Sequence, residues 1–266
     1  MTSQILVALK LQPGDVPHLP AKSRNALISY LMRWKHYEPA RDCLLQLLDV
    51  HNHLLSAHDN LARVYMELGS LDLALDTMVR RHELKESSSS RILEARILLA
   101  EGDLPAAEAI GRQIAAQHPE MISCWNLLLD VRISAGDWAG AEEALVQQEA
   151  FGSSSMGAAW GRARLWQARG DLEKAMLWAR TAVSRSEANG REPPADLLRL
   201  LEGLYRSDGK DAQAQQTAAL LKARQERDLA EIGELLGPAY PTPAPPPRRA
   251  DGGSPAPIAA VARSAI

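Results

Sequence analysis

The chain has 266 residues, 46% apolar and 24% charged, enough for one large domain or two small ones with a sizeable core. The 30 basic residues against 33 acidic ones leave a formal net charge of −3, which excludes the basic footprint of a dedicated nucleic-acid or anionic-membrane binder. Two cysteines 81 positions apart, Cys43 and Cys124, exclude a disulfide framework, and no run of 18 apolar residues exists to cross a membrane.

Residues 1–20 read as an N-terminal extension. Its start has no charge ahead of the short apolar run Ile5 to Leu9, so it is not a secretory signal, and a cytoplasmic location is expected. Its second half, LQPGDVPHLP, holds three prolines and a Pro-Gly and reads as extended or turned chain lying across the helices that follow. From Ala21 the chain repeats. The segments ALISYLMRWKHYEPARDCLL, LARVYMELGSLDLALDTM, ILEARILLAEGDLPAAEAI, WNLLLDVRISAGDWAGAEEAL, WGRARLWQARGDLEKAMLWA and LLRLLEGLYRSDGKDAQAQQTA each carry apolar residues at helical spacing on both sides of one turn residue. The turn residues are Lys35, Gly69, Gly102, Gly136, Gly170 and Gly209, spaced 34, 33, 34, 34 and 39 apart. Five positions after each stands an alanine: Ala40, Ala74, Ala107, Ala141, Ala175 and Ala214. Alanine fills 42 of the 266 positions. Independent chance therefore gives six of six about once in 10⁴–10⁵, which marks a fixed-period repeat.

The pattern dictates a pair of antiparallel helices per unit. Glycine tolerates the left-handed conformation that ends the first helix. The alanine lets the second helix approach the first closely. No single hairpin buries its apolar face alone, so the hairpins must stack. Between the fifth and sixth units the five extra residues fall in SRSEANGREPPA, a polar loop. The sixth unit carries Glu202 and Asp211 at apolar slots, as a solvent-facing terminal unit should. A last helix follows to Gly237-Pro238, and its second half, with Leu229, Ile232, Leu235 and Leu236, reads as a cap on the stack. Residues 237–266 hold eight of the 16 prolines and read as a disordered Pro/Ala-rich tail. Within it Pro243-x-x-Pro246-x-Arg248 resembles an SH3 ligand but reads first as solvated chain.

These units resemble the tetratricopeptide repeat, a 34-residue pattern of W-x2-L-G-x2-Y, then A-x3-F, then P. Trp125, Leu128 and Leu129 fill the opening of the fourth unit, Leu61, Ala62 and Tyr65 that of the second, and Pro119 closes the third. The resemblance covers roughly residues 21–227 and implies an all-α, right-handed superhelical solenoid of helix hairpins. Residues 21–236 are then one repeat domain with its capping helix.

The resemblance also implies that first helices line a concave groove and contact ligands from fixed positions, 13, 10, 6, 3 and 2 before each turn residue. The ten-back row includes Asn25, Asp59, Ile92, Asn126, Trp160 and Arg199, and the six-back row includes Arg63, Arg96, Asp130 and Arg164. The three-back row contributes Met32, Met66, Leu99, Ile133, Gln167 and Arg206, and the two-back row Arg33. Over all five rows, seven basic residues (Lys22, Arg33, Arg63, Arg96, Arg164, Arg199, Arg206) face four acidic ones (Asp59, Glu67, Asp130, Asp196), a balance of +3. Arginines bind carboxylates bidentately, methionines adapt to varied apolar surfaces, and Trp160 is an anchor candidate. Asp59 and Asp130 are alternatively partners of Arg63, Arg96 or neighbouring residues.

No catalytic constellation emerges. His51, His53 and His58 lack metal-ligand spacing, Cys43 and Cys124 read as packed thiols, and no cofactor or metal is expected. Gly152 to Gly157 has the glycine spacing of a phosphate loop without its Lys-Ser/Thr, and together with Ser87 to Ser90 it reads as capped inter-repeat loop. The expectation is a non-catalytic protein-interaction module, an adaptor, scaffold or assembly factor. It takes a partner's peptide or helix of acidic character with apolar anchors. The alternative is a docking or regulatory subunit of a multi-protein enzyme or secretion complex. No nucleic-acid partner is expected, and self-association through exposed ends stays open.

Overall fold

The computed structural model describes residues 4–151 and 155–236, and among these all regular structure is helical. A short helix α1 (Gln4–Ala8) and a 3-10 helix (Pro13–His18) precede twelve longer helices. These are α2 (Ala21–Arg33), α3 (Tyr37–Val50), α4 (Leu55–Glu67), α5 (Leu71–Leu84), α6 (Ser88–Glu101) and α7 (Leu104–Gln117). They continue with α8 (Ile122–Ala135), α9 (Trp138–Phe151), α10 (Ser155–Ala168), α11 (Leu172–Ala188), α12 (Ala195–Ser207) and α13 (Asp211–Leu236). Each expected hairpin is present, with the even-numbered helix first and the odd-numbered helix second.

The turn chemistry is the same six times. After the first helix of each hairpin one residue takes positive φ: Lys35 (60°), Gly69 (74°), Gly102 (95°), Gly136 (70°), Gly170 (80°) and Gly209 (70°). Its N–H donates three residues back, and the next N–H donates five back, as in Gly69 to Met66 (3.1 Å) with Ser70 to Tyr65 (2.9 Å). This paired closure satisfies the carbonyls that a helix end leaves open. Lys35 makes the same two bonds without glycine's freedom, Lys35 to Met32 at 3.2 Å and His36 to Leu31 at 2.7 Å. All six repeat alanines are buried, five of them at 0% exposure and Ala214 at 3%. A larger side chain at those positions has no room between the two helices of its hairpin.

The insertion before the sixth unit differs from expectation. Part of it is helix, because α11 runs 17 residues where α3, α5, α7 and α9 have 14. Ser184 to Ala188 contain neither Gly nor Pro, so nothing stops the helix until Gly190, which closes it at φ 66°. The buried Ser186 hydroxyl then donates to the Arg191 carbonyl at 3.2 Å.

The chain forms two compact units. Unit one is residues 1–90 together with the chain from Glu226 onward, and unit two is residues 91–225. In unit one the N-terminal extension is part of the core: Leu6, Leu11, Val16 and Leu19 are buried, and the 3-10 helix lies against α3. The end of α13 also belongs here. Of the four residues expected to cap the stack, Ile232 is buried, Leu229 and Leu236 are half-buried and Leu235 is exposed. That segment meets α2 of the first hairpin. In unit two the hairpins pack in chain order, α7 on α8, α8 on α9, α9 on α10, α10 on α11 and α11 on α12. Two apolar clusters hold it together. One is centred on Leu127, Leu129, Leu145 and Leu165, the other on Ala159, Ala175, Ala179 and Leu197. Trp125 and Trp138 pack half-buried on the first cluster, and Trp160, Trp166 and Trp178 on the second.

Candidate functional site

In unit two the six-back row consists of Arg96 on α6, Asp130 on α8, Arg164 on α10 and Gly203 on α12. Arg164 Nη1 donates to Asp130 Oδ1. The two residues are 34 positions apart, so equivalent positions on consecutive first helices are in direct contact. Beside them, in the ten-back row, Asn126 Oδ1 accepts from Gln148 Nε2 of α9 at 3.1 Å. Gln148 is 3% exposed, and its Oε1 is buried with no hydrogen-bond partner. Glycines of α10 make room for this side chain, whose Nε2 lies 3.2 Å from where a Cβ on Gly157 would stand. Trp160, also in this row, is half-buried against the second cluster. Leu99 and Ile133 of the three-back row are half-buried on the first cluster, while Gln167 is exposed and Ile92 fully buried. At the last hairpin Arg199 pairs with Asp196 at 2.7 Å and Arg206 with Glu202 at 2.6 Å.

In unit one the exposed Asn25 and the half-buried Met32 and Met66 lie on α2 and α4. Arg63 is exposed and donates to Asn60 Oδ1 at 3.3 Å. Arg33 pairs with Asp228 at 2.9 Å, and Glu67 accepts from the Tyr37 hydroxyl at 3.0 Å. Asp59 does not pair with Arg63 or Arg96. It accepts from Arg81 Nε of α5 at 2.7 Å, and Arg81 is 5% exposed and also bonded to the Lys85 carbonyl. Sequence reasoning missed Arg81 because a helix-face arginine is usually solvated. The available signal is its place 22 residues after an aspartate of the previous helix.

The chemistry-bearing residues outside the rows are structural. Burial of His58 lowers its pKa, and its Nε2 lies 2.8 Å from the Asn52 carbonyl oxygen. His51 and His53 meet edge to face, with ring centroids 6.3 Å apart. Among the described residues no three His, Cys, Asp or Glu side chains come together as a metal group. Cys43 and Cys124 are buried free thiols, and burial pushes Cys43 up to about 12. Ser87 and Ser90 bond each other across the start of α6. The glycine run from Gly152 and the Pro243 motif lie wholly or partly outside the described residues.

The family comparison now has a fold to rest on. A tetratricopeptide repeat model matches residues 88–113 and 156–181, that is, α6 into α7 and α10 into α11. The chain carries tetratricopeptide repeats at these two stretches. Two solved structures carry the same fold. One is a tetratricopeptide repeat protein from Parabacteroides merdae, with TM-score 0.54 and 18% identity, covering 79% of this chain and 81% of that one. The other is a thermophilic tetratricopeptide repeat protein of Thermus thermophilus, with TM-score 0.52 and 18% identity, covering 66% of this chain and all of that one. No curated protein matches in sequence. Proteins built of tetratricopeptide repeats are in general non-catalytic modules that bind other proteins, and the repeats here support a protein-interaction module.

A concavity that the sequence did not suggest lies among α7, α8 and α9 of unit two. It holds about 340 Å³ and is lined by Arg112, Trp125, Leu128, Arg132 and Glu143 over a floor of alanines. Its guanidiniums are committed within the fold, since Arg132 bonds Glu108 at 2.7 Å and Asp137 at 2.9 Å, and Arg112 bonds Glu108 at 3.1 Å. No helix among the described residues is long and apolar enough to cross a membrane.

Proposed function

We propose that the first helices hold a peptide or helix of a partner protein, and that the chain acts as an adaptor, scaffold or assembly factor. The observation that carries this is the Arg164–Asp130 bond between equivalent positions of α10 and α8. It supports reading the rows of unit two as an aligned face, since side chains 34 residues apart meet there. In unit two Asn126, Asp130, Trp160, Arg164, Arg96, Leu99, Arg199 and Arg206 serve, and in unit one Asn25, Met32, Arg33, Asp59, Arg63 and Met66 serve on its own first helices. Half-buried Leu99, Met32, Met66 and Trp160 give apolar anchoring, and Arg63 and Arg96 favour an acidic ligand. We place the protein in the cytoplasm, where two unpaired thiols stay reduced.

Affinity purification of the tagged full chain from its own cells, read by mass spectrometry, tests this. The specific partner captured by wild type is lost, by at least tenfold, with Arg63→Glu combined with Arg96→Glu, while circular dichroism of the chain is unchanged. Undiminished capture overturns the assignment of the face.

A further inference from the structure

Asp228 is not accounted for by the repeat. It lies on the last part of α13, within unit one, with its side chain only 12% exposed. Its Oδ2 accepts from Arg33 Nη1 at 2.9 Å and from Trp34 Nε1 at 3.1 Å. One turn later Ile232 is 5% exposed. Three residues beyond, the Leu235 carbonyl accepts from the Ser23 hydroxyl at 3.1 Å. Spacings of four and three put these positions on one face of the helix. The receiving surface is α2 from end to end, with Ser23 at 5% exposure and Trp34 at 8%.

This contact is narrow. Glu226, Arg227, Ala230, Glu231, Gly233 and Glu234 are all exposed, so one aliphatic side chain and one carboxylate do most of the holding. By contrast α2 and α4 bury five and six residues each in the same unit. The contact is also selective. A carboxylate held by a guanidinium and an indole N–H has two strong donors aimed at it, and a neutral apolar residue there forfeits both bonds. The segment therefore combines a carboxylate with one aliphatic anchor a helical turn away, and it sits against Arg33, a residue of the two-back row.

We propose that this face of α2 is a docking site for a helix carrying an acidic residue followed by an aliphatic residue four positions on, with a backbone carbonyl three positions further open to Ser23. The chain's own Glu226–Leu236 segment occupies the site in cis and competes with a partner helix of that pattern. The proposal rests on the reading that first helices bind a partner, and it names the partner's chemistry. A tethered competitor acts at high effective concentration, so a partner's apparent affinity falls by the fraction of chains in which the site is open.

The test uses the full chain and a synthetic, fluorescein-labelled peptide spanning Gln225 to Leu236, held helical by a lactam between a lysine at position 230 and Glu234. Fluorescence anisotropy measures its binding to wild type and to the variant Asp228→Ala/Ile232→Ala, in which the cis segment is undocked. The expected result is at least tenfold tighter binding to the variant. Adding Arg33→Glu to the variant, or putting both alanines in the peptide, abolishes binding. Equal affinity for both chains, or no binding to the undocked chain, overturns the proposal. If the double variant fails to fold by circular dichroism, Asp228→Asn replaces it under the same criteria. Hydrogen exchange on wild type gives an independent reading: Arg33→Glu accelerates exchange over 229–236 at least tenfold and leaves 212–221 unchanged, and no acceleration overturns the proposal. The two readings fail separately. Peptide docking with partner capture indifferent to Arg63→Glu/Arg96→Glu sinks the shared face alone, and groove-dependent capture without peptide docking sinks the cis competitor alone.

Discussion

Gly161 measures how closely the hairpins of unit two approach. It lies on α10, and a Cβ there would stand 2.7 Å from Leu145 Cδ2 and 2.9 Å from Leu129 Cδ2. Both leucines are at 0% exposure, so neither side chain has free space to swing into. Overpacking of this kind costs about 1–3 kcal/mol, whereas Gly→Ala inside a helix by itself gains about 1 kcal/mol. Gly161→Ala should therefore lose about 1 kcal/mol net. Gly203, on α12 of the same unit, is exposed and has nothing within 4 Å of its Cβ position. Gly203→Ala should show only the gain, about 0.5–1 kcal/mol. Five of the six tryptophans, Trp125, Trp138, Trp160, Trp166 and Trp178, lie in unit two, so tryptophan fluorescence follows that unit's unfolding. At about 2–4 °C per kcal/mol, the first variant lowers Tm by about 3 °C and the second raises it by a similar amount. Shifts of the same sign would refute the close approach as the reason for glycine at 161.

Lys35 holds a left-handed φ of 60° that costs an L residue about 1–2 kcal/mol, so Lys35→Gly should stabilise unit one by about 0.5–1 kcal/mol after glycine's entropy is counted. Gly102→Ala, at φ 95°, should destabilise the chain, and thermal melts distinguish the two signs. Burial lowers the pKa of His58, so the folded chain keeps it neutral while the unfolded chain takes up a proton near the ordinary histidine value of 6.5. Stability is full above about pH 6.5 and is lost as pH falls below it, and urea midpoints from pH 8 to 5 should fall less steeply for His58→Gln than for wild type. Burial pushes Cys43 up to about 12, so between the ordinary thiol value of 9.0 and about 12 the unfolded chain ionises first and stability declines as pH rises. At pH 8 the thiol should resist Ellman's reagent until urea unfolds the chain, and Cys43→Ala should flatten the alkaline decline.

The fold was legible because its determinants are local and periodic. A turn residue that must accept positive φ and an alanine that must fit between two helices recur in every unit. Both constraints act within about twenty residues, so each leaves its mark on sequence. Even the exception was readable: Lys35 occupies a glycine slot and adopts glycine's conformation there. The length of α11 was less legible, because the polarity of Ser184 to Ala188 resembles loop composition while their backbone preferences permit helix. The face was legible only in part. The row positions could be counted, and Asp130 and Arg164, one period apart in a row, bond each other. Which acids stay free could not be counted, because Asp59 is taken by Arg81 on a second helix.

A period read from a single sequence carries information about neighbours one period away, and its reach ends there. Asp130 and Arg164 are 34 residues apart, and their meeting follows from the repeat. Asp228 and Arg33 are 195 apart, and no period points from one to the other. Reading the end of α13 as a cap on the stack names no particular neighbour, and in the fold that end meets α2. At 1.5 Å per residue, a helix of 26 residues is about 39 Å long, so its two ends need not share neighbours. Its first half buries Ala214, Thr217 and Leu221 in unit two, and its second half buries Ile232 in unit one. What distinguishes the second half in the sequence is its chemistry: Asp228, Ile232 and Leu235 form a narrow acidic and aliphatic stripe on an otherwise polar helix. On α2 a matching stripe runs from Ser23 to the donors Arg33 and Trp34. The information that pairs them is complementarity between two helix faces, and the same complementarity would select a partner in trans.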